Sequence, residues 1–570
     1  MRHTLITLLL GSLSLVGCQQ EATDTAEIAA ATPADSVVSN DDRPNILLIV
    51  VDDMGYSDIG AFGGEIKTPT IDQLVSEGVH LENFYVGPTC SPTRSMLLTG
   101  TDNHVAGLGT MQGDQTNDQI GQPGYEGYLN DDVAALPAIL KDAGYHTYMT
   151  GKWHLGVTEE TSPSARGFER AFSLLPGGAG AFANRLQIYG SEKAAYREDG
   201  QLVETLPEDF YSTAFYSQRI IEYIDSNRGD GKPFFAYLAY TSPHWPLQAP
   251  DESIARYKGM YDQGYQALRE ARLENAKKLG LAPADARLFP QLTDIPDWDS
   301  LSDEEKAYQA RLMEIYAAMV DDVDRHLARV IDYLKESGQF DNTFIFFTAD
   351  NGPEGNSLEL LRDTVPDCCD NSFENLGKPD SYTWYGAAWA QAGNVPRQMY
   401  KSYTSDGGVK VPAFVHYPTL AHNGQRLSEV LHVKDVTPTL LDLAGVTHPA
   451  PQFRGRDIAA MTGHSMLPML KGETDRVHTE DQTFGMELFG RRSIRKGDWK
   501  AVYIPRYDRR TAPIPVIRLD QWQLYNIATD PSEMTDLATQ EPEKLAELVA
   551  AFDEYVAENQ VILSPDSEPY

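Results

Sequence analysis

The chain has 570 residues, 41% hydrophobic and 23% charged, which excludes a disordered or fibrous polymer and leaves ample apolar material for a large core. There are 47 Lys and Arg against 83 Asp and Glu, a net charge of −36. A surface this acidic repels nucleic acid and anionic membranes, yet an anionic substrate can still bind in a locally basic pocket.

In chain order, Arg2 and His3 precede an apolar stretch from Leu5 to Val16. That is too short to cross a bilayer and reads as an export signal. It ends in Leu15-Val16-Gly17-Cys18, which resembles the lipobox of bacterial lipoproteins. The resemblance implies cleavage after residue 17, acylation of Cys18 and a periplasmic or outer-membrane lipoprotein, held to the membrane by its lipid anchor alone. Residues 18–42 are rich in Ala, Thr, Ser, Asp and Glu without an apolar period, and read as a flexible tether. Besides Cys18 the cysteines are Cys90, Cys368 and Cys369, too few for a disulfide scaffold. For the adjacent Cys368 and Cys369, free thiols and an unusual bridge are both open.

Four short, largely apolar runs follow, each ending in polar residues: Ile46–Val51 before Asp52-Asp53, Tyr145–Met149 before Lys152-Trp153-His154, Phe234–Leu238 before Pro243-His244-Trp245, and Phe344–Thr348 before Asp350-Asn351. Such runs suit strands buried on both faces. Helical patterns lie between them at Pro69–Gly78, Leu136–Gly144 and Glu304–Gly338. The alternation predicts an α/β fold, a large, mostly parallel sheet sandwiched by helices over residues 43–480. Residues 249–303 are polar, helix-prone and Pro-interrupted, and read as an insertion. From 481 to 570, short half-polar segments at Ser493–Arg495, Trp499–Tyr503 and Trp522–Tyr525 predict a small antiparallel sheet. A helix over Glu541–Asn559 with Leu545, Leu548, Val549 and Phe552 on one face closes the chain. Ligands in doubly wound sheets bind beyond the carboxyl ends of strands, so the four polar clusters belong to one site.

Asp52, Asp53, Asp350 and Asn351 are hard oxygen donors, which favours Ca²⁺, with Mg²⁺ second, over zinc. Three crowded carboxylates without a cation would repel one another. Each Asp taken singly could instead cap a turn. In Cys90-Ser91-Pro92-Thr93-Arg94, Pro92 suits the first position of a helix. The helix N-terminus and Arg94 would then lower the Cys90 thiol pKa; a lone Cys is otherwise most often a buried structural residue.

These residues closely resemble the type I sulfatases, especially the bacterial arylsulfatases, of the alkaline phosphatase-like superfamily. The signature is Cys90–Gly100 (CSPTRSMLLTG), supported by Gly151–Gly156 (GKWHLG), Ser242–Pro246 (SPHWP), Thr348–Gly352 (TADNG) and Tyr400–Gly408 (YKSYTSDGG). The resemblance implies that a separate formylglycine-generating enzyme reads the Cys90–Arg94 segment and converts Cys90 to an aldehyde. It implies a cation held by Asp52, Asp53, Asp350, Asn351 and the modified Cys90. Arg94, Lys152, His154, His244 and Lys401 match active-site positions. Hydrolysis of sulfate esters would then follow, with Lys152, Lys401, Arg94 and the cation stabilising charge, His244 protonating the leaving oxygen and His154 serving as a base.

One departure is the loop Leu175–Phe182, without a polar side chain where some relatives place a substrate-contacting residue. The aromatic segment Tyr382–Trp389 suits a pocket wall and a core equally. Two alternatives stay open: a phosphonate monoester or phosphodiester hydrolase of the same superfamily, and a non-catalytic lipoprotein binding sulfated glycans.

Overall fold

The computed structural model describes residues 41–188, 193–293, 295–355, 369–505 and 519–564; Cys18, residues 19–40 of the tether and Cys368 lie outside them. Ten strands form one sheet: β1 Asn45–Val51, β2 Val79–Tyr85, β3 His146–Lys152, β4 Arg170–Leu174, β5 Tyr196–Glu198, β6 Gln201–Leu202, β7 Phe234–Ala239, β8 Thr343–Ala349, β9 Ala413–His416 and β10 Gln425–His432. Their order is β10-β2-β9-β8-β1-β7-β3-β4-β5-β6. The central five, β8-β1-β7-β3-β4, run parallel, and β9 joins β8 and β2 antiparallel. Every residue of β1, β7 and β8 is buried, as the unbroken apolar runs require of strands covered on both faces.

The expected helices appear at Pro69–Glu77, Leu136–Asp142 and Asp303–Glu336. The last spans 34 residues and opens with a capping box, Ser302 with Glu305, which satisfies two otherwise orphaned N–H groups. The polar segment 249–303 contributes helices Asp251–Ala255 and Gly264–Lys278. Arg272 of the second is buried and reaches Asp58 at 2.6 Å and Glu65 at 2.8 Å, so this segment braces the loop that follows β1.

After a two-residue hairpin, β11 Gln452–Phe453 with β12 Arg456–Asp457, the chain forms an antiparallel sheet of β13 Thr483–Leu488, β14 Arg491–Lys496, β15 Trp499–Tyr503 and β16 Trp522–Asn526. The helix Pro542–Asn559 covers it with Leu548, Phe552 and Tyr555. The boundary expected near residue 480 falls just ahead of β13, within one compact unit spanning residues 40–570. Among the described residues no helix is long and apolar enough to cross a membrane.

Candidate active site

Strand register assembles the centre of the site. Val51 pairs with Ala349, Val50 with Ala239, and Gly151 with the same Ala239. The parallel strands β8, β1, β7 and β3 therefore end side by side, and the residues after each meet at one sheet edge. Asp52 N–H donates to Ser242 O at 3.2 Å and Asp350 N–H to Val51 O at 3.1 Å, extending the alignment past the strands. Asp53 has φ +60° and His154 φ +55°; this left-handed conformation is costly for a side-chain-bearing residue and concentrates at functional sites.

The helix Cys90–Thr99 delivers Cys90 to this edge. Pro92 is its third residue, not the first as expected; the first four N–H groups of a helix lack intrahelical partners, so Pro fits there too. Cys90 Sγ lies 3.5 Å from Asp52 Oδ1 and 3.9 Å from Asp53 Oδ1. Its thiol pKa is pushed up, not down: burial raises it and Asp350 adds to that, outweighing Lys152 and Lys401. Arg94 does not reverse the balance because its charge is committed to Asp350, at 2.8 Å.

Around this point every charge is buried and paired. Lys152 Nζ donates to both Asp52 oxygens, at 2.9 and 2.8 Å. Lys401 Nζ donates to Asp53 Oδ2 at 2.9 Å. Arg94 also donates to Lys152 O at 3.0 Å. Asp350 Oδ1 accepts the Asp53 N–H at 3.2 Å, and Asn351 Nδ2 donates to Asp53 Oδ1 at 2.7 Å. Burial would raise the Asp53 pKa, but Lys401, His244 and Lys152 hold it at about 2. Asp52 goes the other way, to about 8, because burial, Asp350 and Asp53 outweigh Lys152 and Arg94.

That imbalance is what a cation would relieve. Asn351 Oδ1 is buried without a hydrogen-bond partner among the described residues, and Asp52, Asp53, Cys90 and His244 each offer a donor atom within 4.8 Å of the others. Carboxylate and amide oxygens at this density fit a hard divalent ion.

The two histidines flank the centre. His244 Nε2 lies 3.5 Å from Asp53 Oδ2 and 3.4 Å from Lys401 Nζ, and its Nδ1–H donates to Trp245 O at 2.5 Å. Burial lowers its pKa to about 3, with Asp53 opposing and Lys401 and Lys152 reinforcing. This differs from the expected ready proton donor: at neutral pH His244 is neutral, with its lone pair toward Lys401. His154 is also held well below the usual histidine range, by burial and then by Lys152 and Arg94. The loop lacking polar side chains packs against both rings. A Cβ on Gly177 would lie 2.8 Å from His154, and one on Gly178 3.1 Å from His244.

Sequence reasoning missed several participants. Glu354 Oε2 sits 3.3 Å from Lys401 Nζ and accepts from Trp245 Nε1 at 3.4 Å; its one signal is being an acidic residue four positions after Asp350. Tyr237 OH accepts from Arg94 at 3.4 Å. The aromatic segment borders the site: Tyr382 and Trp384 cluster with Trp245 and Ile188, and Tyr385 stacks on Tyr316 at 4.4 Å. Cys369 is disulfide-bonded, which removes the free-thiol alternative for it. The buried His104 ring is tied into the structure by Asp102, Glu487 and Tyr555.

Comparison with known proteins decides the family. The Sulfatase family profile matches residues 44–446, and that of the N-sulphoglucosamine sulphohydrolase C-terminal region matches 397–561. The chain belongs to the sulfatase family. It is 44% identical over 544 residues to an uncharacterized sulfatase of Schizosaccharomyces pombe, covering 92% of this chain and 95% of the relative. It is 38% identical over 432 residues to an arylsulfatase of Klebsiella aerogenes, covering 75% and 91%. Among solved structures, Ps i-CgsB in complex with k-i-k-neocarrahexaose superposes with a TM-score of 0.65 at 26% identity, covering 92% of this chain and 95% of that one. This sulfatase therefore hydrolyses sulfate esters, and its family implies a formylglycine and a divalent metal.

Proposed function

We propose that this sulfatase uses Ca²⁺ and a formylglycine made from Cys90 by a formylglycine-generating enzyme, and that it acts on sulfate monoesters of the aryl type. The observation carrying this reading is Cys90 at a helix N-terminus, 3.5 and 3.9 Å from two buried carboxylates, with Lys152 and Lys401 bound to those same carboxylates. A thiol held protonated is a weak nucleophile, which gives its conversion a chemical purpose. Formylglycine would supply a hydroxyl nucleophile at position 90, and Ca²⁺ would supply Lewis-acid charge.

The remaining work falls to the chain's own residues. Asp52, Asp53, Asp350 and Asn351, with the modified Cys90, would hold the cation. Lys152, Lys401 and Arg94, all buried, present fixed positive charge to the sulfuryl oxygens, where a single such contact is worth about 3 kcal/mol. His154, neutral at pH 7, accepts a proton. Lys401 Nζ lies 3.4 Å from His244 Nε2, so a Lys401 proton can pass through this pair to the leaving oxygen. The Klebsiella aerogenes relative supports the aryl label. The segment ending in Cys18 supports export and lipid anchoring on the periplasmic side or the outer membrane.

Mass spectrometry of the tryptic peptide Thr68–Arg94 from native-host protein tests the nucleophile: an aldehyde at Cys90 is expected, and an intact thiol refutes the assignment. Matched aryl sulfate and aryl phosphodiester substrates test the reaction. Higher kcat/KM on the sulfate is expected; higher kcat/KM on the diester would favour the phosphorus alternative.

A further inference from the structure

A second group of metal-ligating side chains closes on one point outside the catalytic pocket. Asp435 lies at the start of helix Val436–Leu443, His464 precedes helix Leu467–Leu470, and His478 precedes β13. One ligand atom from each lies within 4.8 Å of the other two. Three separate segments bring them together, so the cluster is not a by-product of one helical face.

The carboxylate is fixed before any ion arrives. His432 N–H donates to Asp435 Oδ2 at 2.8 Å and His464 N–H to Oδ1 at 2.9 Å; such outer hydrogen bonds orient metal ligands. His478 Nε2 is 2.8 Å from Oδ2. The His464 and His478 rings stand at 80° with centroids 5.1 Å apart. Two nitrogens bound to one tetrahedral zinc at about 2.0–2.1 Å lie roughly 3.3 Å apart, so a small closing movement of the exposed His464 ring completes the geometry. The Asp435 and His478 side chains are 1% and 6% exposed, while His464 is exposed. The site thus has a buried floor and one open side.

A plain Asp–His ion pair would account for Asp435 and His478. It would not account for the second imidazole, His464, brought to the same point from a separate segment. The neighbouring groups do not oppose a cation strongly. Lys434 points to Asp102, 3.9 Å away, and His432 is kept neutral chiefly by its burial.

We propose that Asp435, His464 and His478 form a second metal site, for a borderline transition-metal cation such as Zn²⁺ with water as a further ligand. Two imidazoles and one carboxylate select such an ion over Ca²⁺, in contrast to the oxygen-rich catalytic centre. The ion would staple helix Val436–Leu443 to the segment that enters the C-terminal sheet.

The test is calorimetric titration of Zn²⁺ into the Ca²⁺-loaded, tag-free full chain carrying Cys90→Ser, which removes the thiol as a competing zinc ligand. One equivalent is expected to bind and to raise Tm. Adding His464→Ala should weaken binding at least about tenfold and abolish the Zn²⁺-dependent rise in Tm, while leaving the Zn²⁺-free Tm unchanged because the ring is exposed. His478→Gln should weaken binding similarly. Absence of Zn²⁺ uptake by the parent, or uptake undiminished by His464→Ala, would overturn the proposal without touching the sulfatase assignment.

Discussion

The two sides of the active site are built by different means. The carboxylate side, Asp52, Asp53, Asp350 and Asn351, stands on neighbouring parallel strands, and the β1–β8 register fixes its geometry. The Lys401 side stands on an irregular loop held from outside by the C-terminal sheet. Arg491 Nη1 donates to Ser402 O at 2.8 Å, and its guanidinium lies 3.9 Å from the Tyr403 ring centroid. Glu533 accepts the Asp406 N–H at 3.1 Å, and Lys500 bridges Asp406 and Glu533 at 2.6 and 3.1 Å. A backbone ladder positions one half, and buried ion pairs from almost a hundred residues or more downstream position the other. The first half should therefore tolerate no change in charge, whereas the second should loosen by degrees.

Asp350→Asn is expected to have the largest effect. It leaves Arg94 buried without its main partner, a change worth about 3–5 kcal/mol when a buried pair is broken, and removes a proposed cation ligand. Steady-state kinetics should show on the order of a thousandfold loss in kcat, and elemental analysis should show reduced bound Ca²⁺. Full retention of both would mean that register alone does not define the carboxylate side.

Gly177→Ala is next. Its Cβ would intrude on the His154 ring at 2.8 Å, and a displacement of about 1 Å at a reacting group can cost roughly a hundredfold. The loss should fall on kcat with Tm nearly unchanged; an equal fall in both would mark a packing defect instead.

Arg491→Ala probes the loop side directly. It removes the support of Ser402 and Tyr403 while leaving Lys401 intact. We expect roughly a tenfold loss in kcat/KM, with the pH profile of the residual activity altered because the Lys401–His244 pair is no longer held in register. Wild-type kinetics in this variant would mean that the Tyr400–Gly408 loop is rigid on its own.

The smallest effect concerns the seam between the two sheets. Burial lowers the His104 pKa, but Asp102 and Glu487 outweigh it and raise the value to about 9. A folded-state pKa above the unfolded value of about 6.5 means that His104 adds stability in full below pH 6.5 and loses it as pH rises toward 9. Tm should fall over that interval in the wild type and fall less in His104→Gln, as followed by calorimetry. Parallel slopes would show that His104 is not the titrating group.

Much of this site was legible because parallel strands write themselves plainly. A two-sided buried strand must be apolar throughout, so Ile46–Val51 and Phe344–Thr348 announce both their positions and their ends, and Asp52 and Asp350 stand out at the change. Glu354, Arg491, Lys500 and Glu533 gave no such signal, since a charged residue on a half-polar segment reads as solvated surface until its partner is known. The Cys90 thiol departs from the local expectation for a related reason. Local sequence shows a helix start and a nearby Arg, whereas protonation depends on how completely the site is buried and on where Arg94 and Lys401 spend their charge.

The sequence by itself determined the α/β architecture, the acidic surface, the sulfatase signature at Cys90–Gly100 and the residues that end each central strand, because periodicity and motif spacing are local properties. Tertiary structure alone decided which charges pair, that two glycines make room for the His154 and His244 rings, and that Asp435, His464 and His478 converge. Those outcomes depend on distances between residues far apart in the chain and on desolvation, neither of which exists until the chain has closed around them.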